Sequence, residues 1–265
     1  MTSNGKFNLL TISEFDQWLR ETCFNRKVQV IQNHHTKEPS YRSFTGSNHF
    51  DLLCGMEHYH VVERGFSEIA QNLTTFPDGT VALCRPLEKI PAGIKGANQA
   101  GICIENLGDF DSGRDTMTQA HRQAIIEVNA LLCREFRLTP TTETIVYHHW
   151  YDLDTGRRTG GTGNTKSCPG TAFFGGNSVD AAQTGFIPEV LTALSAAIPA
   201  PLVTSALRSA MVNASLLNVR VEGRIDAPIV MKLQKGVLVQ VYEDRNGWCR
   251  IHPAVQQWVC GDYLL

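Results

Sequence analysis

The order of apolar and polar positions predicts strands and helices in alternation over most of the chain. Runs of β-branched and aliphatic residues with the length of buried strands cover residues 28–33, 69–75, 80–85, 101–106 and 144–148. Apolar residues recur at helical spacing over residues 14–22, 47–64, 116–136 and 178–197. This order predicts an α/β fold in which helices flank a mixed central β-sheet.

The pattern changes after residues 196–201, whose sequence Ala-Ala-Ile-Pro-Ala-Pro is that of a short, stiff linker. Beyond it, short strand-like runs separated by turn residues cover residues 217–220, 236–242, 247–251 and 257–259. These runs predict a small all-β barrel. We therefore expect two domains, at residues 1–199 and 205–265.

Composition narrows the class of protein without identifying a partner. Of the 265 residues, 42% are hydrophobic and 19% are charged, which suits a protein with a substantial core. A net charge of −2 provides no general attraction to nucleic acid or to anionic membranes. No apolar run approaches the roughly 20 residues of a membrane helix, and residues 1–15 lack the pattern of a signal peptide. We expect synthesis in the cytoplasm and no membrane insertion.

The eight cysteines lack the paired spacing of a disulfide framework. Cys54, Cys84, Cys103 and Cys133 have apolar sequence neighbours, among which a free cysteine behaves as a small hydrophobic residue. This usage predicts reduced core cysteines and a reducing compartment. It leaves Cys168 as the cysteine with a chemical role.

Two pairs of histidines occur where predicted strands end, at His34-His35 and His148-His149. A long polar loop follows the second pair and leads to Cys168, within the sequence Lys-Ser-Cys-Pro-Gly. Two histidines and one cysteine form a zinc ligand set with an open fourth position, which is typical of catalytic rather than structural zinc. The sequence therefore predicts a catalytic zinc site.

Together, the His-His-Thr sequence at 34–36, His148 at a later strand end and the Lys-x-Cys-Pro-Gly sequence at 166–170 resemble the type 2 N-acetylmuramoyl-L-alanine amidases. Phage amidases and peptidoglycan recognition proteins belong to the same family. The resemblance covers residues 25–180 and implies zinc-dependent hydrolysis of the amide between N-acetylmuramic acid and L-alanine. It also implies peptidoglycan or muropeptides as the partner.

The resemblance assigns roles to individual residues. It implies His34, His148 and Cys168 as zinc ligands, with His149 as the alternative to His148 because the position of the following Asp152 departs from the family pattern. Lys166 matches the lysine that stabilises the oxyanion. The resemblance also implies Glu105 as a strand glutamate near the attacking water, and it implies that His35 either supports a zinc ligand or faces the substrate.

Two sequence positions depart from the family pattern. Gln71 stands in the strand where many relatives have a tyrosine that is a catalytic candidate, and this shifts proton transfer to Glu105 because an amide is not a base. The Gly-x-His of the next loop is replaced by Gly-Ile-Lys, although Asn98 is retained. We expect Gln71 and Asn98 to help bind the substrate.

Residues 205–265 resemble the bacterial SH3-like domain, through Asn218-Val-Arg, Gly247-Trp248 and Trp258-Val259. Such domains commonly hold wall-active enzymes on peptidoglycan. They also accompany cell-wall cysteine peptidases, so nucleophilic catalysis by Cys168 with His148 as the base is one alternative function. Non-catalytic binding of peptidoglycan is the other. Without a signal peptide, an endolysin or autolysin of this kind would reach the wall after lysis or by another export route.

Overall fold

The computed structural model describes residues 1–197, 206–253 and 255–265. The chain forms two compact units, Met1–Leu191 and Thr192–Leu265. The boundary expected between residues 199 and 205 lies outside the described residues, as do residues 198–201 of the predicted linker. Within the described ranges, no helix is both long enough and apolar enough to cross a membrane.

The first unit is built on one mixed sheet. Its seven described strands are β1 (Thr2–Asn4), β2 (Phe7–Leu10), β3 (Val30–His35), β4 (Leu73–Thr75), β5 (Val81–Leu83), β6 (Gly101–Asn106) and β7 (Ile145–Tyr147). They lie in the order β1-β2-β5-β4-β6-β3-β7. The pairs β4–β6, β6–β3 and β3–β7 are parallel, and the remaining pairs are antiparallel. The mixed sheet is confirmed, and the C-terminal ends of its parallel strands share one edge.

Helices cover both faces of this sheet, as predicted. They are α1 (Ile12–Glu21), α2 (His49–His58), α3 (Gln119–Glu135), α4 (Val179–Ala181) and α5 (Ile187–Ala197). His121 of α3 hydrogen-bonds Thr75 of β4, whereas Leu53 of α2 packs in a cluster with Ala82 of β5. Ala82 pairs with Thr74, so it lies on the face opposite to Thr75.

Local hydrogen bonds account for the differences from the predicted helix starts. Thr11 and Glu14 form a capping box, so α1 begins at Ile12, two residues before the predicted start. Helix α3 was expected from residue 116 but begins at Gln119, because the Thr118 side chain accepts a bond from the His121 N–H. Thr118 also donates to the Pro77 carbonyl at 2.6 Å. That long-range contact selects this threonine as the cap.

The second unit begins with the last residues of α5 and is otherwise all-β in its described part. Its strands are β8 (Arg208–Met211), β9 (Leu216–Arg220), β10 (Ile229–Gln234), β11 (Leu238–Val241), β12 (Glu243–Arg245), β13 (Trp248–Arg250) and β14 (Trp258–Cys260). Five strands form a sheet in the order β10-β9-β14-β13-β12, and β11 pairs with β8. Val219, Val241, Cys249 and Val259 form part of its buried core. The all-β architecture is confirmed, and β8, β10 and β12 are additions to the predicted strands.

The cysteines are unpaired, and three of the four expected in the core are there. Cys84, Cys103 and Cys133 are buried, whereas Cys54 is exposed. The prediction for Cys54 was wrong because apolar neighbours in sequence do not share a helix face. The buried residues of α2 are His49, Leu53 and Met56, and Cys54 faces away from them.

Buried His121 leads to a prediction about acid stability. Burial lowers its pKa to about 3, whereas an unfolded histidine titrates near pH 6.5. Its contribution to stability is therefore fully present above about pH 6.5 and is lost as the pH falls toward 3, by about 1.4 kcal/mol per pH unit at most. We expect the unfolding free energy of His121→Gln, measured in urea, to fall less steeply between pH 7 and pH 4 than that of the unmodified protein. Parallel pH profiles for the two proteins would contradict this.

Candidate active site

A cavity of about 670 Å³ opens at the C-terminal ends of β3 and β6. Ligands of parallel sheets commonly bind at this edge. Strand β3 supplies His34 and His35, strand β6 supplies Glu105, and His148 follows β7 directly. The opposite wall comes from α2 and the chain that continues it, and it is lined by Gly55, Met56, Tyr59, His60, Arg64 and Phe66.

Three side chains that are able to bind a metal ion converge in this cavity. Candidate ligand atoms of His34, His148 and Cys168 all lie within 4.8 Å of one another. The Nδ1 atoms of His34 and His148 are 3.2 Å apart. Two nitrogen ligands bound tetrahedrally at about 2.0–2.1 Å lie about 3.4 Å apart. The spacing therefore suits a single ion held between the two rings.

The strand register explains how the two histidines meet. His34 is directly opposite Glu105 in the parallel ladder between β3 and β6. Val146 of β7 pairs with Gln32 of β3. Because side chains alternate along a strand, Gln32 and His34 share a face, and His148 continues the face of Val146. Both imidazoles therefore reach the same side of the sheet.

The loop that carries Cys168 is anchored by short-range and long-range contacts. The Cys168 carbonyl accepts a bond from the His149 N–H at 2.7 Å, and the Ser167 hydroxyl donates to Asp111 at 2.9 Å. Gly170 has φ +117°, and a Cβ atom there would lie 2.4 Å from the backbone of Phe110. Glycine is therefore required for the loop to approach Phe110 and to present the cysteine.

The electrostatics of the three side chains fit a bound cation. Burial lowers the pKa of His34 well below its usual value and lowers that of His148 to about 4, so both rings are neutral and can coordinate a metal. Burial raises the pKa of Cys168 well above its usual value, and a metal ion is what would favour the thiolate there. Within the described chain, Glu105 Oε2 is buried without a hydrogen-bond partner. This unpaired atom and the donor set of two neutral imidazoles and a thiolate fit a metal ion.

Glu105 is close to this cluster in an apolar strand. Its carboxylate lies 3.8 Å from His34 Nδ1, and its side chain is 18% exposed. Desolvation raises its pKa to about 8, against the opposing effect of Lys166. A cation bound by the neighbouring ligands would favour the carboxylate form. Glu105 is therefore placed to exchange a proton at the cavity floor.

Lys166 and His35 line the same cavity. After burial, the positive charge of Lys166 is a further cause of the lowered pKa of His34 and of His148, so this charge acts on the candidate ligands. His35 accepts a bond from the Phe110 N–H through Nδ1 at 3.1 Å, so its neutral ring carries the proton on Nε2. The structure thus brings Lys166, Glu105 and His35 together with the three predicted ligands.

Gln71 and Asn98 do not line the cavity, so its geometry does not support their predicted substrate contacts. Gln71 is fully buried and donates to the Thr74 hydroxyl at 3.0 Å. Asn98 accepts a bond from the Gly93 N–H at 3.0 Å and so holds its own loop. Strand pairing at residues 73–75 leaves Gln71 before β4, under α2, instead of at the open edge of the sheet.

His149 is also outside the cavity. Its Nδ1 donates to the Lys166 carbonyl at 2.7 Å, and Gly161 packs so closely that a Cβ there would lie 2.5 Å from His149 Nε2. The ring therefore supports the loop of Lys166. This geometry favours His148 over His149 as the ligand.

Sequence reasoning missed the cavity wall and the loop anchor. The cavity wall includes a π-helical turn, Tyr59–Glu63, which contains Tyr59 and His60 and is followed by Arg64. The sequence indicates only a continuing helix there. Asp111 is in a loop and accepts bonds from Ser167 and from the Thr171 N–H. Both features depend on distant contacts, so no local signal identifies them.

Comparisons with known families agree with the two-unit architecture. Residues 24–171 match the family described as N-acetylmuramoyl-L-alanine amidase, which is more than half of the chain. Residues 215–264 match the bacterial SH3 domain family. This second match confirms the SH3-like prediction. No curated protein matches the chain significantly.

Several solved structures are similar to this chain. Drosophila PGRP-SA is 19% identical with a TM-score of 0.47, over 62% of this chain and 83% of that one. Drosophila PGRP-LB is 17% identical with a TM-score of 0.46, over 62% and 84%. The amidase LysC from Clostridium intestinale is 20% identical with a TM-score of 0.42, over 57% and 82%.

Proposed function

We propose that this chain, which belongs to the N-acetylmuramoyl-L-alanine amidase family, hydrolyses the amide bond between N-acetylmuramic acid and L-alanine in peptidoglycan. The observation that carries the proposal is the convergence of His34, His148 and Cys168 at the floor of one cavity. Glu105 and Lys166 line that cavity, and all five residues lie within the part of the chain that matches the family.

The ligand set favours zinc. Neutral imidazoles and a thiolate are the donors that zinc commonly binds, and three protein ligands leave a fourth position for water or substrate. His34, His148 and Cys168 would hold the ion. When bound, it supplies a water molecule of lowered pKa and polarises the scissile carbonyl.

The surrounding side chains have separate tasks. Glu105, in the carboxylate form that a bound cation would favour, accepts the proton of the attacking water and returns it to the leaving amine. The Lys166 ammonium stabilises negative charge on the carbonyl oxygen in the transition state. His35 presents Nε2–H to the cavity and orients the sugar or peptide beside the scissile bond.

The environment of Cys168 argues against a cysteine peptidase. A nucleophilic cysteine requires a lowered thiol pKa, whereas burial raises the pKa of Cys168 well above its usual value. Its exposed fraction is only 6%. These properties suit a metal ligand better than a nucleophile.

The SH3 domain at residues 215–264 supplies a second contact with the wall in this proposal. A tethered binding domain raises the effective concentration of the catalytic unit at an insoluble polymer. We therefore propose peptidoglycan as the partner of both units, in the manner of an endolysin or autolysin. Non-catalytic binding of peptidoglycan is the alternative function, and the product analysis below distinguishes it from hydrolysis.

Histidine substitutions test the ligand assignment. We expect His148→Ala to lose most of its bound zinc, because removing one of three ligands opens the site. His149→Ala should keep about one zinc per chain and serves as the matched control, since its ring contacts only the Lys166 loop. Metal analysis of both purified variants decides the question. Full zinc in His148→Ala and loss in His149→Ala would reverse the assignment.

The proposed reaction is tested by the products. Mass spectrometry of peptidoglycan digested with the full chain should show free stem peptides that begin at L-alanine and intact glycan strands. Cleavage within the stem peptide would identify a peptidase. Binding to peptidoglycan without any product would identify a non-catalytic receptor.

A further inference from the structure

A continuous line of hydrogen bonds, buried from His121 onward, runs from the start of α3 to the sulfur of Cys168. His121, Thr75 and Asn106 form its middle, and each is fully buried. It lies on the α3 side of the sheet, on the face opposite to the one that carries Glu105. The proposed reaction uses none of these side chains.

The direction of donation is fixed by atoms that can only accept. The His34 carbonyl lies 2.7 Å from the Asn106 amide nitrogen, which must therefore donate to it. This orientation turns Asn106 Oδ1 toward the Thr75 hydroxyl, which donates at 2.7 Å. Thr75 Oγ1 in turn accepts from His121 Nε2–H at 2.8 Å. His121 Nδ1 then accepts from the Tyr41 hydroxyl at 2.8 Å.

The far end of the line is equally well defined. The Tyr41 oxygen accepts from the Thr118 N–H at 3.3 Å, at the cap of α3. Burial lowers the pKa of His121 to about 3, so the ring is neutral and one nitrogen donates while the other accepts. Each link therefore donates in the same direction, from α3 toward β3.

The near end reaches the sulfur through one peptide group. The peptide between His34 and His35 accepts at its carbonyl from Asn106, and its N–H lies 3.4 Å from Cys168 Sγ. A bond to a peptide carbonyl polarises the group and strengthens donation from its N–H. An N–H that donates to a thiolate withdraws charge from the sulfur and fixes its position.

We propose that Asn106, held by Thr75 and His121, is a positioning residue that sets the location and charge of the Cys168 sulfur toward a bound metal. Asn106 acts through the His34–His35 peptide and does not touch the substrate. The inference rests on the metal site proposed above. It extends that site through the sheet to helix α3.

The experiment substitutes Co²⁺ into the full-length protein and records the sulfur-to-cobalt charge-transfer band. Thr75→Val removes the hydroxyl without changing the size of the side chain, and it leaves Asn106 Oδ1 and His121 Nε2–H unpaired. A weaker N–H bond leaves the sulfur richer in electrons, so we expect the band to move to longer wavelength. We also expect the zinc dissociation constant to rise about 10- to 100-fold, as for other residues that orient metal ligands.

Two variants separate this effect from a general loss of structure. Thr75→Ser keeps the hydroxyl and should restore the band and the affinity. Thr74→Val removes a buried hydroxyl from the adjacent residue on the other face, where Thr74 accepts from Gln71 at 3.0 Å. It should give the band of the unmodified protein. Asn106→Leu breaks the last side-chain link and provides the same test if Thr75→Val does not fold.

Specific results would overturn the inference. An unshifted band in Thr75→Val or Asn106→Leu would do so, and so would an equal shift in Thr74→Val. If the unmodified protein shows no sulfur-to-cobalt band at all, the metal site itself is wrong. The two failures are therefore distinguishable.

Discussion

Replacing Cys168 by alanine is expected to abolish both zinc binding and peptidoglycan hydrolysis, whereas Cys168→Asp retains part of each. Alanine leaves two imidazoles, too few to hold a catalytic zinc. Aspartate supplies a carboxylate oxygen in place of the sulfur, and the other two candidate ligands, His34 and His148, are unchanged. Metal analysis and release of stem peptides should be measured on the same preparations.

The aspartate variant separates metal catalysis from nucleophilic catalysis. A cysteine peptidase loses its nucleophile in Cys168→Asp and should retain essentially no activity. Cys133→Ala is the control, because it removes a buried thiol on α3 while leaving the cavity intact. Cys168→Ala with full zinc and normal turnover would contradict the ligand role.

Replacing Glu105 by glutamine is expected to lower turnover about 10²- to 10⁴-fold while zinc stays bound. Glutamine keeps the shape of the side chain and can hydrogen-bond, but it cannot take up a proton. Glu105 is not a proposed ligand, and its carboxylate lies 3.8 Å from His34 Nδ1. The loss should therefore appear in turnover and not in metal content.

A second carboxylate in the cavity wall provides the control for this substitution. Glu38 lines the cavity and pairs with Arg42. Glu38→Gln should leave turnover within a few-fold of the unmodified protein, because exposed ion pairs contribute little. An equal loss in both variants would indicate a general electrostatic effect of the cavity. Normal turnover in Glu105→Gln would remove Glu105 from the mechanism.

Much of the fold follows from periodicity because its strands are apolar and its helices have one apolar face. Residues 101–106 were predicted as a strand and form β6 with the same bounds. Strand β3 was expected to end at residue 33 but continues through His35, because His34 and His35 pair with Glu105 and Asn106. A prediction that ends each strand at the first polar residues misses two histidines that stay in the sheet because they pair with the adjacent strand β6.

The hairpin at the N-terminus was missed although a local signal exists. β1 and β2 form a hairpin with Gly5 at φ +58° in its two-residue turn, which is a recognised hairpin signature. Strand β10 was also missed; it carries exposed apolar residues and, among the described strands, lies at a sheet edge beside β9. Its sequence shows no clean alternation, so period-two reasoning did not find it.

The predicted site residues fall into two groups, those that line the cavity and those that do not. The six residues predicted from motifs, His34, His35, Glu105, His148, Lys166 and Cys168, line one cavity. Gln71 and Asn98 were predicted from their places in the family pattern, but Gln71 is fully buried, Asn98 hydrogen-bonds within its own loop, and neither lines the cavity. Asn106, Thr75 and His121 could not be predicted, because their connection to Cys168 depends on the stacking of α3 against the sheet.

Removal and return of the metal tests the central claim most directly. The purified chain is treated with a chelator, dialysed and assayed on intact peptidoglycan before and after one equivalent of zinc is added. We expect release of L-alanine-terminated stem peptides to stop on chelation and to return with zinc. Activity that survives complete removal of zinc, yet disappears when thiols are alkylated, would contradict a metal-dependent amidase.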